Sequence, residues 1–249
     1  MAVVIIPARY SSSRFPGKLI ASLGGEPLIT HTIKSALKSR ADSVCLVTDD
    51  ERIVHAVSAL KAAEKRLNIL MSDPAICTGT DRVAFAAKNI HDEIIINVQG
   101  DEPFIPPKLL DELIALLEKD ADIGMASACV PIENADAANN PNHVKAVFDN
   151  NNFALYFSRL PIPSDRDNKK PTRYKHIGIY AFRRETLFRF ASLRPTPLEA
   201  AEMLEQLRAL ENGIRIKMLI TDYLPISVDT LEDLEKAEAA FRTITAFTK

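Results

Sequence analysis

Residues 2–18 read AVVIIPARYSSSRFPGK, in which an apolar run leads directly into a loop that carries three cations. A short continuous apolar run is typical of a strand in a parallel sheet whose two faces are both covered. Arg9, Arg14 and Lys18 carry the charges, three serines (11–13) lie between the arginines, and a Pro-Gly pair predicts a turn before the lysine. Ligands of open α/β sheets bind beyond the carboxyl ends of the strands. We therefore expect residues 9–18, called the basic loop below, to lie at a ligand site.

The same kind of apolar run recurs twice, with amphipathic stretches between the runs. The runs are 44–48 (VCLVT) and 94–98 (IIINV), and the amphipathic stretches are 27–39, 51–64 and 81–90. Alternating β and α elements predict a doubly wound sheet. We predict an α/β fold with a mainly parallel mixed sheet in a single domain, residues 1–249.

After about residue 122, strand patterns follow one another without helices between them. The predicted strands are 123–130, 144–149, 153–158 and 176–182, with a hairpin turn at DNNN (149–152) and a proline-rich connector at 160–173. This succession predicts an antiparallel insertion with an exposed edge. The remaining predictions are a helix from TPLE (196–199) to Gly213, a strand around 216–228, and a last helix with a Thr230–Asp233 capping box.

The totals of the 249-residue chain limit its partners and its compartment. The 31 basic and 33 acidic residues give a formal charge of −2, so there is no broad cationic face of the kind that binds nucleic acid. Cys45, Cys77 and Cys129 are widely spaced, which favours neither a disulfide framework nor a zinc site and indicates a reducing compartment. Neither a secretion signal nor an 18-residue apolar span is found. We expect a cytoplasmic protein without nucleic-acid or membrane partners.

The basic loop matches neither common phosphate-binding motif, because it has one glycine and because Leu19 follows Lys18. Three cations without a neutralising acid repel one another unless an anion joins them, and a nucleoside triphosphate would supply three or four negative charges. The alternative is that all three are solvated surface charges. Their position after the first strand favours the triphosphate.

Carboxylates follow two other predicted strands. Asp101 and Glu102 come after the strand 94–98 in NVQGDEP, and Asp229 lies between the last strand and the last helix. Hard carboxylate oxygens at such an edge suit Mg²⁺, which binds a few protein oxygens together with substrate phosphates. An acidic turn can equally be only a turn, and Asp229 can serve the helix terminus. Phosphoryl transfer needs both kinds of group at the strand ends: cations for the leaving phosphates, and acids that hold a metal ion beside the reacting phosphorus.

A third group of polar residues lies in the second half of the chain. His176 and Tyr180 are four apart in a strand pattern and should point to the same face. With Arg159 and Arg166 they are suited to a polyhydroxylated acid, whose carboxylate favours a guanidinium, although ordinary packing is the alternative. The sequence has neither a zinc-protease motif nor a nucleophile elbow, so His31, His55 and His91 are predicted to lie on the surface or at an interface.

Six motifs together resemble the family of 3-deoxy-manno-octulosonate (Kdo) cytidylyltransferases. They are IIPARYSSSRFPGK, NVQGDEP, ALYFSR, HIGIY, LEQLR and VDTLEDL, in this order between about residues 3 and 240. The resemblance implies a nucleotide-diphospho-sugar transferase fold, a homodimer, Mg²⁺ dependence, and the formation of CMP-Kdo and pyrophosphate from CTP and Kdo for lipopolysaccharide biosynthesis. It also implies a nucleotide-binding half (1–121), a sugar-binding and dimerisation half (122–215), and a return strand with the C-terminal helix (216–249).

The resemblance also implies roles for individual residues. Catalysis is expected from Arg9, Arg14, Lys18, Asp101 and Asp229, of which the two aspartates hold the metal. The nucleotide is expected at Pro7, Ala8, Arg9, Ser12, Arg14, Lys18, Thr78, Gly79, Thr80, Arg82 and Gln99. The sugar is expected at Gln99, Arg159, Arg166, His176, Tyr180, Glu205 and Gln206.

Two departures from the family pattern bear on substrate binding. Where the family usually has a histidine and a serine before Gly79, this chain has Ile76 and Thr78. Thr78 keeps a hydroxyl that can bind the base, whereas the histidine is lost. The connector at 166–174 is shorter than in many members. The acceptor therefore stays open between Kdo, its 8-amino analogue and another acidic sugar. A nucleotide-binding module without chemistry is the rival of another class, and the missing glycine fingerprint disfavours a nicotinamide dehydrogenase.

Overall fold

The computed structural model describes residues 1–12, 14–76 and 78–247, so Ser13 and Cys77 lie outside the described residues. The chain divides into two compact units, Met1–Glu112 with Pro225–Lys249 and Leu113–Leu224. None of the described helices has the length and apolar character needed to cross a membrane.

The strands and helices alternate in the first half of the chain, as the sequence pattern predicts. The strands are β1 (Ala2–Ala8), β2 (Ser22–Leu23), β3 (Glu26–Pro27), β4 (Ser43–Thr48), β5 (Leu67–Met71), β6 (Ile94–Asn97), β7 (Met125–Pro131), β8 (Lys145–Phe148), β9 (Ala154–Ser158), β10 (Tyr174–Arg183) and β11 (Ile216–Ile220). The helices are α1 (Leu28–Leu37), α2 (Glu51–Ala56), α3 (Ser58–Ala63), α4 (Gly79–Ala87), α5 (Pro107–Lys119), α6 (Ala135–Asn139), α7 (Arg184–Ala191), α8 (Pro197–Glu202), α9 (Gln206–Glu211) and α10 (Leu231–Phe247). The boundary between the units falls within α5.

The first unit contains four parallel strands in the order β6-β1-β4-β5. Every residue of β1 is buried, which explains its uninterrupted apolar sequence. From β1 the chain builds outward through β4 to β5 and then returns to place β6 on the other side of β1. This reversal creates a topological switch point between β1 and β6, where ligands of such sheets bind. The basic loop and residues 98–101 follow these two strands and therefore meet at that point.

The second unit contains the predicted antiparallel insertion. In its sheet β10 pairs antiparallel with β7 and β8, β8 pairs antiparallel with β9, and β11 pairs parallel with β7. The hairpin between β8 and β9 is confirmed, since Asp149 Oδ1 accepts from the backbone N–H groups of Asn151 and Phe153 and Asn152 has a φ of 57°. The mixed, mainly parallel α/β fold predicted from the sequence is therefore confirmed.

Several predicted boundaries are wrong. The helix expected over 51–64 is two helices that meet at Val57, and the helix expected from 197 to Gly213 is interrupted at Met203, whose φ is 54°. The strand expected around 216–228 ends at Ile220, and Pro225, which lacks an N–H group, stands in the remainder. The strand β5 and the helix α5 were not predicted.

The first prediction concerns Gly24, which lies in the β2–β3 turn beneath α10. Its φ is 59°, and an added Cβ would overlap the ring of Phe241, which packs edge-on against His31 at 5.2 Å. Gly25 has a φ of 89° but open space around it, so Gly25→Ala is the matched control. We expect Gly24→Ala to lower the free energy of unfolding by about 1–3 kcal/mol more than Gly25→Ala, as measured in urea. Equal losses would contradict the overlap.

Candidate active site

A pocket of about 310 Å³ opens in the first unit at the switch point. Its lining consists of Pro7, Arg9, Ser11, Ser12, Arg14, Lys18, Leu19, Gly79, Arg82, Gln99, Gly100 and Asp101. Most of the residues predicted for the nucleotide and for catalysis are therefore brought together. Four predicted residues are not part of this lining: Ala8, Thr78, Thr80 and Asp229. The first three are each adjacent in sequence to a lining residue, and Asp229 contacts the lining residues Lys18 and Arg14.

Lys18 stands at the centre of the charged groups. Its Nζ donates to Asp101 Oδ2 at 2.5 Å and to Asp229 Oδ1 at 2.8 Å. Gly17 makes this reach possible, because its φ of 71° turns the chain while its N–H donates to the carbonyl of Tyr10 at 3.0 Å. Burial acts to lower the pKa of Lys18, but the carboxylates of Asp101 and Asp229 outweigh it and raise the pKa above its ordinary value. The lysine is therefore held as a cation between the two acids.

The other cations of the pocket have different partners. Arg14 forms an ion pair with Asp229 Oδ2 at 2.9 Å, and Arg9 donates from Nη2 to the carbonyl of Ile76. Arg82 is completely buried and pairs with Asp49 at 2.9 Å. Burial lowers the pKa of Arg82, against the opposing charge of Asp49. Arg9 is thus bonded to a neutral oxygen, whereas the other three cations each pair with an acid.

The start of α4 forms one side of the pocket. Gly79 lies beside Pro7 and Gln99, and a Cβ added to Gly79 would be 3.7 Å from each of these side chains. Thr78 is the N-cap of the helix, since its Oγ1 accepts from the N–H of Asp81 at 3.0 Å. The hydroxyl predicted for the base is therefore already used as an acceptor. The Ile76 carbonyl accepts from Arg9 and, at 3.2 Å, from Arg82, so this position contributes its backbone to the site.

The donor set of Asp101 and Asp229 fits a magnesium ion. Both carboxylates reach one Nζ atom, so their oxygens are directed at a common point. No group of three or more His, Cys, Asp or Glu side chains suited to a metal occurs within residues 1–12, 14–76 and 78–247. Two carboxylates without further protein ligands suit Mg²⁺, which takes its remaining ligands from water and substrate phosphates.

The second unit brings together four of the residues predicted for the sugar. The rings of His176 and Tyr180 are 5.6 Å apart, which confirms that they share a face although a bulge follows Ile177. Gln206, the first residue of α9, is buried and approaches His176 Nδ1 at 3.5 Å. Glu205 precedes it, and burial raises the pKa of Tyr180, with a smaller contribution from Glu205.

Ser127 determines the tautomer of His176. The Ser127 hydroxyl donates to the carbonyl of Ile179 at 2.8 Å and lies 2.8 Å from His176 Nε2, so it accepts from an Nε2–H group. Nδ1 is then free of a proton and accepts from Gln206. Burial lowers the pKa of His176 to about 3, which agrees with a neutral ring. A direct contact between His176 and a sugar would have to replace one of these bonds.

The described contacts of Arg159 and Arg166 are with other residues than those of the His176 group. The Arg159 guanidinium donates to the carbonyls of Glu202 at 2.7 Å, Pro141 at 3.1 Å and Met203 at 3.3 Å. Arg166 is exposed within the connector. No described contact joins either arginine to His176 or Tyr180, so their place at a sugar site stays a prediction.

Sequence reasoning missed four residues whose side chains bond to predicted site residues. Asp49 pairs with Arg82, Ser127 bonds to His176, and Lys145 and Glu202 both bond to the backbone of Arg159. Asp49 follows β4 and was detectable, because acids at the ends of parallel strands were the criterion that identified Asp101. Ser127, Lys145 and Glu202 carry no local pattern. Ser127 and Glu202 bond to residues more than 40 positions away, and Lys145 bonds to Arg159 across the β8–β9 hairpin, so only the folded chain brings these groups together.

The second prediction follows from the buried neutral ring of His176. Its folded pKa is about 3 and its ordinary value is 6.5, so the unfolded chain binds a proton first as the pH falls. Stability is therefore lost as the pH falls from 6.5 towards 3. Between pH 6.5 and about pH 5 we expect a loss of about 2 kcal/mol in the free energy of unfolding that His176→Gln does not show. His55→Gln, at an exposed position, is the control, and an unchanged slope in His176→Gln would contradict the prediction.

Comparisons with known proteins identify the family of this chain. A family model described as "Cytidylyltransferase" matches residues 3–216. A 3-deoxy-manno-octulosonate cytidylyltransferase of Chloroherpeton thalassium is 44% identical over 242 residues, with 96% of each chain covered. The protein of the same name from Flavobacterium johnsoniae is 44% identical, with 97% of this chain and 99% of the relative covered.

Solved structures show the same relationship. The structure of a CMP:2-keto-3-deoxy-manno-octonic acid synthetase complexed with CTP superposes with a TM-score of 0.91 at 38% identity, and 97% of this chain and 98% of that chain are covered. A putative glucose-1-phosphate thymidylyltransferase of Bacillus anthracis, at 15% identity and a TM-score of 0.70, shares the fold. The family match over most of the chain and the identities above 40% together show that this chain belongs to the cytidylyltransferase family, with the 3-deoxy-manno-octulosonate cytidylyltransferases.

Proposed function

We propose that this chain transfers the cytidylyl group of CTP to Kdo, giving CMP-Kdo and pyrophosphate for lipopolysaccharide biosynthesis. One observation carries the proposal: Lys18, beside Arg14, meets Asp101 and Asp229 at the switch point of the sheet. A triphosphate needs cations at its leaving end, and carboxylates can hold a divalent ion beside the reacting phosphorus. Family membership supports cytidine as the base and Kdo as the acceptor.

The residues of the pocket contribute by positioning and by charge. The anomeric 2-hydroxyl oxygen of the sugar forms a bond to the α-phosphorus, the bond from that phosphorus to the β-phosphate oxygen breaks, and the hydroxyl proton is released. Arg14 and Lys18 stabilise the negative charge of the departing pyrophosphate. Arg9 can exchange the neutral Ile76 carbonyl for a phosphate at low cost, because its bond within the described residues is to a carbonyl and not to an acid.

Mg²⁺ is proposed as the cofactor, held by Asp101 and Asp229. When bound it would supply a Lewis acid that polarises the phosphate and lowers the pKa of the attacking hydroxyl, so that no strong protein base is needed. The fit of two converging carboxylates supports this assignment.

We propose a homodimer as the assembly and the cytoplasm as the compartment. Leu155 on β9, at the predicted edge of the insertion, is 63% exposed, which supports a subunit contact there. Cys45 and Cys129 are buried thiols, and burial raises their pKa values to about 11 and about 12, so both are unreactive. Sedimentation velocity tests the dimer, and a mass of one chain would contradict it.

Pyrophosphate release tests the activity. The enzyme is incubated with Kdo and each of CTP, UTP, ATP and GTP, with Mg²⁺ or with a chelator in its place. We expect pyrophosphate release only in the reaction that contains Kdo, CTP and Mg²⁺, and none with the other nucleotides or with the chelator. Competing Kdo with its 8-amino analogue and with a sialic acid identifies the preferred acceptor. Tight CTP binding without pyrophosphate release with any acceptor would favour the non-catalytic module.

A further inference from the structure

A buried lysine that the mechanism does not use lies in the second unit. Lys145, the first residue of β8, has no exposed surface. Its Nζ donates to the backbone carbonyls of Asn140 at 3.0 Å and Arg159 at 2.5 Å. Burial lowers the pKa of Lys145, and the charge of Glu202 opposes this shift. An ammonium group in this position costs desolvation free energy that an apolar side chain would not, so its retention requires an explanation.

Glu202 also bonds to the chain at Arg159. Its Oε1 accepts from the Ser158 hydroxyl at 2.6 Å, and its Oε2 accepts from the backbone N–H of Arg159 at 2.9 Å. Glu202 ends α8, and Met203 follows it in the left-handed conformation. The helix is therefore interrupted at the point where Glu202 bonds to the end of β9.

Arg159 is thereby fixed at every polar backbone atom. Its N–H donates to the Glu202 carboxylate, and its carbonyl accepts from Lys145 Nζ. Its guanidinium donates to the backbone carbonyls of Pro141, Glu202 and Met203. A guanidinium has five N–H groups, and these three bonds within the described residues use one on each nitrogen. One N–H remains on each of the two terminal nitrogens. Each of these two N–H groups can donate to an oxygen of a carboxylate.

We infer that Lys145 and Glu202 are positioning residues that hold Arg159 so that its remaining N–H pair receives the carboxylate of the acid sugar. The inference rests on the proposed function and on the prediction from the sequence that Arg159 binds that carboxylate. Neither Lys145 nor Glu202 touches the substrate in this arrangement. The Glu202 carboxylate accepts from the Arg159 N–H, and the Lys145 ammonium donates to the Arg159 carbonyl. These two bonds fix the backbone of Arg159 and thereby the direction of its side chain.

The test is a double-mutant cycle of Lys145→Met and Arg159→Ala, measured by pyrophosphate release with CTP or Kdo varied in turn. We expect Lys145→Met to lower kcat/KM for Kdo by about 10- to 100-fold and to leave the KM for CTP near the wild-type value. In the Arg159→Ala background the same substitution should add little, because Lys145 acts through Arg159. Lys217→Met is the matched control, since Lys217 Nζ also donates to a backbone carbonyl of this unit, that of Asn151 at 2.5 Å.

The outcomes separate this inference from the proposed function. Additive effects of the two substitutions, or equal losses for CTP and Kdo, would overturn the positioning role and indicate a general structural one. An Arg159→Ala enzyme with wild-type KM for Kdo would overturn the sugar site of the proposed function together with the inference. If Lys145→Met does not fold, Glu202→Gln takes its place in the cycle with the same expected loss for Kdo and the same additivity criterion.

Discussion

Asp101→Ala is expected to lower turnover by on the order of 10² to 10³. The substitution removes one of the two carboxylates that meet at Lys18 Nζ and with it half of the proposed magnesium ligands. The strand end should keep its shape, because the bond between Asp101 and Val228 runs from the Val228 N–H to the backbone carbonyl of Asp101. Initial rates of pyrophosphate release at saturating CTP and Kdo measure the loss.

Glu102→Ala is the matched control for Asp101→Ala. Glu102 is the adjacent acid, but its Oε1 accepts from the Ser227 hydroxyl instead of pointing to Lys18. We therefore expect near-normal turnover from Glu102→Ala. A near-normal rate for Asp101→Ala, or an equal loss for both variants, would remove Asp101 from the metal and catalytic roles.

Lys18→Met is expected to lower turnover by on the order of 10² or more, because the leaving pyrophosphate loses the less exposed of the two cations proposed to stabilise it. The Lys18 side chain is 12% exposed, whereas that of Arg14 is 62% exposed, so water screens Arg14 more strongly. The variant also leaves Asp101 without its cation. Without nucleotide, Mg²⁺ should therefore raise the melting temperature of Lys18→Met more than that of the wild type.

Lys34→Met is the control for Lys18→Met. Lys34 pairs with Glu26 at 2.6 Å, and both side chains are more than 40% exposed, so this pair lies on the surface. We expect wild-type turnover and a wild-type response to Mg²⁺. A Lys18→Met enzyme with normal turnover would contradict the role of Lys18 at the pyrophosphate.

Part of the fold could be predicted because its causes are local. The strands β1, β4 and β6 are continuous apolar runs, and the Thr230–Asp233 capping box forms as its spacing predicts, with Asp233 N–H donating to Thr230 Oγ1 at 3.2 Å. The strand β5 reads LNILM, is only partly buried and, in the part of the chain that the structure describes, pairs with β4 at the end of the strand order. An edge strand with a polar residue in it has little periodic pattern to detect.

The interrupted helix at Met203 shows where local propensity fails. Residues 197–211 contain good helix formers, and no glycine or proline stands at the break. The interruption coincides with the bonds from Glu202 to Ser158 and Arg159, which are more than 40 residues away in sequence. Tertiary contacts of this kind override propensity and leave no local trace.

The sequence by itself determined the strands β1, β4 and β6, the antiparallel insertion, the basic loop with its three cations, and the acids at the strand ends, because apolar periodicity and turn chemistry depend on near neighbours. Only the tertiary structure decided that Lys18 meets Asp101 and Asp229, 83 and 211 residues further along the chain, and that Lys145 and Glu202 enclose Arg159. These partners are selected by the packing of the whole sheet, since burying a charge is favourable only where the fold supplies its counter-charge or hydrogen-bond partner.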